Sequence, residues 1–179
     1  VYAITDTIVV GRMISVEALA AVGASGSLQF LLFGFAMGAS AGLAIPVSRA
    51  YGAGDAAGMR KAVTTGAWIS LAIAVAITLI GVFGSSFLLR LMGTPEELMA
   101  QSTEFLAVFF AGSVATVGYN YLTSVIRALG DSRTPLMFLI LACVLNVILV
   151  IVFVGPAQMG VGGAALATVL AQLVSALMC

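Results

Sequence analysis

The chain has 179 residues, of which 62% are hydrophobic and 8% are charged. Soluble domains carry about 25% charged residues, so too few charges remain here to cover a water-exposed surface. Seven basic and seven acidic residues give a net charge of zero, which argues against a nucleic-acid partner. The chain has no histidine, and Cys143 and Cys179 form neither a metal-ligand nor a disulfide pattern. The composition predicts an all-α integral membrane protein whose first partner is the lipid bilayer.

A helix that crosses a bilayer needs about 20 mostly apolar residues. Six candidate spans predict a six-helix transmembrane bundle: residues 1–14, 16–51, 56–92, 95–129, 135–154 and 161–179. The chain begins at Val1, already inside an apolar segment, and reaches Cys179 inside another. We therefore expect a fragment of a longer protein, with the first span truncated and the sixth span open to truncation.

Residues that favour helix ends separate these spans. Ser15 and Asp55 suit the N-caps of the second and third spans, because their side-chain oxygens can accept hydrogen bonds from the first turn. Thr94-Pro95-Glu96-Glu97 predicts a capping box at the start of the fourth span, and Thr134-Pro135 predicts the start of the fifth by the same logic. Gly130 suits a left-handed stop after the fourth span.

The basic residues predict the orientation. Five of the seven lie at the connections between the second and third spans and between the fourth and fifth spans: Arg49, Arg60, Lys61, Arg127 and Arg133. The opposite side carries Arg12 and Arg90. Because cytoplasmic loops carry the excess of Lys and Arg, we expect both connections and the N-terminal side of the first span in the cytoplasm, with the protein in the inner membrane.

A short echo marks the same two connections. Arg49-Ala50-Tyr51-Gly52 precedes Asp55, and Arg127-Ala128-Leu129-Gly130 precedes Asp131. Arginine favours the negative end of a helix dipole, glycine allows the helix to stop, and aspartate can cap the helix that follows. We interpret the echo as helix punctuation; the alternative is a gating contact that involves Arg49, Arg127 and Asp131.

Glu17, Glu96, Glu97 and Glu104 lie on or near the outer side, which leaves Asp6 as the only acidic residue within the apolar part of a span. A charged group at the centre of a membrane helix costs about 2.5–3.5 kcal/mol on insertion scales, so such residues usually face a cavity, a partner or a transport path. Burial disfavours the charged form of a carboxylate, so Asp6 could load and release a proton or exchange it for a cation. The alternative is that Asp6 marks a helix end near the headgroups.

Two other polar residues fall at the depth of Asp6. At 1.5 Å per residue, Asp6 lies roughly 8–12 Å, Asn146 roughly 12 Å and Thr168 roughly 9 Å below the outer ends of their spans. A carboxylate, an amide and a hydroxyl at one level could surround a proton or a small cation. The alternatives are a threonine bonded to its own helix and an asparagine that joins helices. Three further polar residues could line an aqueous cavity or pack in the core: Gln29, Tyr119 and Asn120.

Six stretches occur in order along nearly the whole chain: DTIVVG at residues 6–11, ALAAVG at 18–23, SRAYGAGD at 48–55, IRALGDSRTP at 126–135, LNVIL at 145–149 and GVGGAALAT at 160–168. Together they resemble the multidrug and toxic compound extrusion (MATE) family. The resemblance implies a twelve-helix antiporter of two six-helix lobes, of which this chain would be the N-terminal lobe without its C-terminal partner.

The resemblance also implies a site. The family's N-lobe residues fall on Asp6, Asn146 and Thr168, which agrees with the depths above. Many relatives carry a second acidic residue four positions after the asparagine, and this chain has Val150 there. A proton site of two carboxylates is therefore not expected, and Asp6 would act alone.

The sequence thus favours a cation-coupled antiporter, driven by H⁺ or Na⁺ without another cofactor, that exports small cationic drugs or toxic compounds by alternating access. A lipid-linked oligosaccharide or polysaccharide flippase of the same group is the nearest alternative. Such a flippase should expose cationic residues to hold a pyrophosphate, and these spans carry Lys and Arg only near their ends. A membrane enzyme would need a carboxylate pair, a metal site or a nucleophile with its base. A non-transporting scaffold would need no titrating group.

Overall fold

The computed structural model describes residues 8, 9, 11 and 14–179. Within these residues every regular element is an α-helix, and Ile8, Val9 and Gly11 of the first predicted span are helical. Six helices follow in chain order: α1 (Val16–Gly52), α2 (Ala56–Leu91), α3 (Glu96–Ala111), α4 (Ser113–Ala128), α5 (Arg133–Val154) and α6 (Gly160–Met178). Asp6 and Arg12 lie outside the described residues.

Four of the described helices, α1, α2, α5 and α6, are each long and apolar enough to cross a membrane. Helices α3 and α4 pass the same test together, are bent by 45° at their junction, and count as a fifth crossing where the pair is one span. The prediction of one helix over residues 95–129 was therefore wrong. The break falls at Gly112, whose ψ of 3° departs from the helical value near −42°. A Cβ at Gly112 would collide with the side chain of Val169 on α6. Only a glycine lets the two helices approach so closely at this bend.

Helices α1, α2 and α4 end with one hydrogen-bond pattern. Gly54, Gly93 and Gly130 have φ of 68°, 73° and 92°, in the left-handed region. The N–H of each glycine and of the residue after it bond back to carbonyls of the last helical turn. The stop predicted at Gly130 is confirmed. At the other connection the stop is Gly54, whereas Gly52 is still helical, so the echo pairs Gly54 with Gly130 and Asp55 with Asp131.

Two of the four predicted N-caps are confirmed and two are wrong. Ser15 Oγ accepts a hydrogen bond from Ala18 N at 3.1 Å, and Asp55 Oδ1 accepts one from Gly58 N at 2.9 Å. The capping box at Thr94 does not form, because α3 begins at Glu96 after Pro95 without a side-chain cap. Thr94 N instead donates to Leu89 O at 3.1 Å, which binds Thr94 to the end of α2.

Asp131, rather than Thr134, caps the start of α5. The backbone N–H groups of Arg133 and Thr134 donate to Asp131 Oδ1 at 2.9 and 3.1 Å, and the Thr134 hydroxyl donates to Oδ2. A carboxylate has two acceptor oxygens and can therefore satisfy all three donors, whereas a threonine hydroxyl has a single oxygen. The helix therefore begins at Arg133, two residues before the predicted start at residue 135.

Helix α5 packs mainly against α6, which also contacts α3 and α4. The buried face of α6 consists largely of small residues: Gly162, Gly163, Ala164, Ala165, Ala167 and Ala171. Small residues let helix backbones approach closely within a bilayer. Phenylalanines fill the space between α1 and α3, where the rings of Phe105 and Phe109 stack at 6.3 Å and Phe33 meets Phe109 edge-on at 5.7 Å.

Hydrogen bonds between helices fix α4 against α2. The Tyr121 hydroxyl donates to Val63 O at 2.7 Å. The Ser113 hydroxyl donates to Ala74 O at 3.0 Å and lies 2.7 Å from the Thr78 hydroxyl. Such bonds contribute about 0.6 kcal/mol each inside membranes. Tyr121 therefore joins α4 to α2 through the backbone of Val63.

Gly112→Ala should destabilise the bundle by about 1–3 kcal/mol, because the new methyl group overpacks against Val169. Its φ of −82° suits any residue, so the effect isolates the close approach. Thermal unfolding of the purified protein in detergent measures it. Gly118→Ala on α4 is the matched control, since a Cβ there meets nothing within 4 Å. Combining Gly112→Ala with Val169→Ala should restore most of the loss; no restoration would contradict the assigned contact.

Acid should weaken the start of α5. The three hydrogen bonds hold the pKa of Asp131 below its ordinary value of 3.8, and the bond from the Thr134 hydroxyl has the largest effect. A lowered folded-state pKa gives stability that is complete above 3.8 and is lost as the pH falls through the lower folded value. At pH 7 the Asp131→Asn variant should therefore have a lower melting temperature than the wild type. The difference between the two melting temperatures should shrink below pH 3.8. Ser132→Ala, which removes no cap bond, should leave the profile unchanged.

Candidate functional site

Asn146 and Thr168 meet at the interface of α5 and α6. Helix α5 buries one narrow stripe: Pro135, Ala142, Asn146, Val150 and Val154. This stripe turns Asn146 towards α6, where its Nδ2 donates to Thr168 Oγ1 at 2.9 Å. The two side chains are 0% and 1% exposed. The structure thus brings together two of the three residues that the depth argument grouped, and the third, Asp6, lies outside the described residues.

The amide oxygen of Asn146 lacks a partner in the part of the chain that the structure describes. This oxygen, Oδ1, is buried. A buried acceptor without a partner costs about 1–3 kcal/mol, so a native bundle rarely keeps one without a reason. An amide oxygen accepts an O–H donor such as a protonated carboxyl group, and it also coordinates hard cations.

Val150 lies one turn beyond Asn146, at the position where the family pattern often has a second acid. Its side chain is 0% exposed and packs in the apolar core with Val154 and Val161. A carboxylate there would lack a polar partner among these neighbours. The local packing therefore matches the apolar residue of this sequence.

A second buried polar pair lies one turn along α6. The Thr116 hydroxyl of α4 donates to Gln172 Oε1, and both side chains are 1% exposed. Asn120 Nδ2 donates to Thr116 O at 2.8 Å. Sequence reasoning missed this pair. Gln172 is the only amide in the sixth span, and its spacing of four from Thr168 would have placed both on one face of α6.

An open cavity of about 650 Å³ lies between α1, α4, α5 and α6. Its apolar wall consists of Phe33, Met37, Pro135, Leu136 and Leu139. Its polar wall consists of Tyr119, Asn120, Thr123, Arg127, Ser132 and Gln172. Small-molecule sites are usually clefts of about 300–1,000 Å³ with mostly apolar walls and a few polar groups. The cavity fits that description.

Three residues predicted for a cavity wall separate here. Tyr119 and Asn120 lie on the wall of this cavity. Gln29 does not; it is 7% exposed on α1, one turn before Phe33.

The wall on α4 carries a continuous polar face. Thr116, Asn120, Thr123 and Arg127 follow each other at spacings of four, three and four, which places them on one side of a helix. They span roughly 17 Å along α4 at 1.5 Å per residue. The face leads from the buried Thr116–Gln172 pair to the end of the lobe that carries residues 53–55 and 129–132, here called the basic end.

The residues predicted at the two connections have different surroundings. Asp131 caps α5, as described above, and Arg49 is exposed in the last turn of α1. Arg127 lines the cavity. Among the described residues no hydrogen bond or ion pair joins the two connections, so the gating contact stays a prediction.

Buried amides and hydroxyls beside an open, mostly apolar cavity in a membrane bundle suit the binding and passage of a small amphiphilic molecule. Comparison with known proteins identifies the group to which this bundle belongs. The MatE family profile matches residues 1–152. The chain belongs to the MatE family. Members of this MATE family are multi-pass membrane transporters, which agrees with the apolar helices described above.

Two curated relatives come from Bacillus subtilis strain 168. "Probable multidrug resistance protein YpnP" is 32% identical over 167 residues, and "Probable multidrug resistance protein YoeA" is 33% identical over 168 residues. The matches cover 93% and 92% of this chain but 38% and 36% of the relatives. The MATE chain therefore spans a little over a third of the length of these relatives.

A solved structure extends the likeness to three dimensions. An inward-facing multidrug resistance MATE family transporter of the MOP superfamily matches with a TM-score of 0.93 at 30% identity. The match covers 98% of this chain and 40% of that one. The prediction of an all-α MATE bundle is thereby confirmed.

The Thr116–Gln172 pair is open to a double-mutant test. Thr116→Val alone and Gln172→Leu alone should each cost about 1–3 kcal/mol, because each leaves a buried polar partner unsatisfied. The double variant should cost clearly less than the sum, since it removes both polar groups. Unfolding in detergent measures all four proteins. Ser25→Ala, whose hydroxyl bonds to its own helix at Ala21 O, is the control and should change little. Additive losses would contradict a direct bond.

Proposed function

We propose that this chain forms the N-terminal lobe of a cation-coupled exporter of drugs or other toxic organic compounds. Membership of the MATE family and the multidrug resistance relatives favour export. The extent of the match, 38% of the length of YpnP, leaves room for a second lobe of similar size. The observation that carries the coupling is the buried Asn146–Thr168 bond with Asn146 Oδ1 still available.

In this proposal Asp6 completes the site. A protonated Asp6 would donate to Asn146 Oδ1, whereas an ionised Asp6 and the same oxygen would together suit Na⁺. Either event changes the contacts among the first span, α5 and α6. A ligand shifts the equilibrium between the outward-open and inward-open states only by its differential affinity for the two states. The proton or Na⁺ would therefore favour the state whose contacts among these three helices include it.

Helix α6 would carry that change to the cavity. Thr168 and Gln172 lie one turn apart on its buried face, roughly 6 Å along the axis. Gln172 contributes to the cavity wall, and Thr168 bonds Asn146. A shift or rotation of α6 that alters one contact must alter the other, so ion binding and substrate release are linked through one rigid element.

We place the lobe in the cytoplasmic membrane with its basic end in the cytoplasm, following the distribution of Lys and Arg. The cavity wall reaches that end through Arg127 and Ser132. Substrate would therefore enter from the cytoplasm, as export requires.

The rival functions fit less well. A flippase for pyrophosphate-linked oligosaccharides needs several cations in its cavity, and the wall described here has one, Arg127. A passive scaffold would gain nothing from a buried polar pair with an available acceptor, which costs stability.

The transporter that contains this lobe, reconstituted in vesicles, provides the test. Asp6→Asn and Asn146→Ala should abolish substrate export driven by an imposed pH or Na⁺ gradient. Thr168→Val should slow it about tenfold or more, in keeping with a lost charge-linked hydrogen bond. Imposing the two gradients separately identifies the ion.

Thr64→Val is the matched control, because the Thr64 hydroxyl bonds to Arg60 O of its own helix at 3.0 Å and is exposed. It should export at the wild-type rate. Gradient-driven export that survives Asp6→Asn would refute the assigned coupling site.

A further inference from the structure

Arg127 stands between two open spaces at the basic end. It lines the 650 Å³ cavity, and it also lines a groove of about 420 Å³ between α1 and α4 that includes Ser48, Ser124 and Ala128. Met37 is the other residue that borders both. The guanidinium therefore lies where a molecule entering from the basic end would first meet the wall.

This cation has no acidic partner among the described residues. Its one hydrogen bond within them goes to Ser124 Oγ at 3.4 Å, close to the limit for such a bond. The nearest acid in sequence, Asp131, is committed to three donors at the start of α5. The described wall of the cavity includes no Asp or Glu. A positive charge thus faces an apolar cavity without a balancing carboxylate in the described part of the lobe.

The surroundings of Arg127 suit an anionic group attached to an apolar body. The hydroxyl of Ser132 lies on the same wall and can donate to an oxygen anion, whereas the Thr123 hydroxyl donates to Asn120 O at 3.1 Å. The opposite wall offers Phe33, Met37 and Leu139 to a hydrocarbon or aromatic ring. An arginine presents its donors in a planar fork that matches a carboxylate, so recognition can be bidentate.

We propose that Arg127 is a substrate-recognition residue that selects amphiphilic compounds carrying a carboxylate, held with their apolar part in the 650 Å³ cavity. The proposal rests on the transport function proposed above and refines its substrate class. The sequence led us to expect a cationic substrate because of Asp6. A zwitterion meets both expectations, since it carries the carboxylate that Arg127 would bind and the positive charge expected of a cationic substrate.

Two rhodamine dyes separate this role from a structural one. Rhodamine 110 carries a free carboxylate, and rhodamine 123 is its methyl ester with the same ring system. Fluorescence anisotropy measures the binding of each dye to the complete transporter in nanodiscs of uncharged lipid. The wild type should bind rhodamine 110 more tightly. Arg127→Gln should weaken rhodamine 110 about tenfold or more and leave rhodamine 123 within about twofold, as expected for the loss of one charge-assisted hydrogen bond.

Arg49→Gln is the matched control. Both arginines lie in the last turn of a helix that ends at the basic end, and Arg49 lines neither space. It should leave both dyes unchanged. Arg127→Lys preserves the charge at the helix end and hence the fold, but it loses the planar fork; it should bind rhodamine 110 with intermediate affinity.

Equal weakening of both dyes by Arg127→Gln, with both dyes bound normally by Arg127→Lys, would overturn the proposal, because it would indicate a helix-end role that needs only the charge. A wild type that prefers rhodamine 123 would also overturn it. Dye binding is measured without an ion gradient. If export survives Asp6→Asn and the coupling site is refuted, the dye-binding result for Arg127 still stands. Conversely, a transporter that prefers rhodamine 123 but still exports substrate when a pH or Na⁺ gradient is imposed would refute the role of Arg127 and retain the proposed function.

Discussion

A polar group buried in a membrane lobe must find its partner inside the protein, because the surrounding hydrocarbon offers none. This constraint organises the interface of α4, α5 and α6. Asn146 bonds Thr168, Gln172 bonds Thr116, and Asn120 bonds the backbone of Thr116. Each bond joins a helix to its neighbour or continues along α4, so the polar face also fixes how the three helices sit against one another. The hydrogen bonds that satisfy these buried polar groups therefore also form the candidate site.

The close contact at Gly112 makes part of this network feasible. Gly112 lies one turn before Thr116 on α4, and Val169 lies three residues before Gln172 on α6. The contact of Gly112 with Val169 and the bond of Thr116 with Gln172 are thus successive rungs between the same two helices. A larger side chain at Gly112 would separate the backbones and lengthen the next rung. The bend in the fourth crossing is therefore tied to the polar face rather than being a local irregularity.

The sequence predicted most of the features that depend on position along a helix, such as depth in the bundle and the helix ends. A fixed rise per residue places Asn146 and Thr168 at one depth, and their hydrogen bond shows that the arithmetic was sound for this pair. The N-caps Ser15 and Asp55 followed from local rules. What failed depended on neighbours remote in sequence. Thr94 is held by the end of α2, and the break at Gly112 depends on Val169 of α6. The pairing of Thr116 with Gln172 depends on how two helices rotate about their axes, which depth cannot reveal. The placement of Asp6 stays a prediction.

The chemistry of the intervening groups explains how such a lobe could change state without stranding a charge. Asp6 is predicted near the outer end of the lobe, and Arg127 lies at the basic end. Between them the described interface offers amides and hydroxyls, each able to donate or accept a hydrogen bond. In the proposed function, a proton or a cation would arrive at one end, and these groups could then reverse the direction of a bond by rotation alone. A carboxylate or an amine in the same positions could not, since each acts in only one sense when ionised. In the proposed exporter, a neutral polar face would therefore let the two ends exchange their ligands without leaving a charge buried between them.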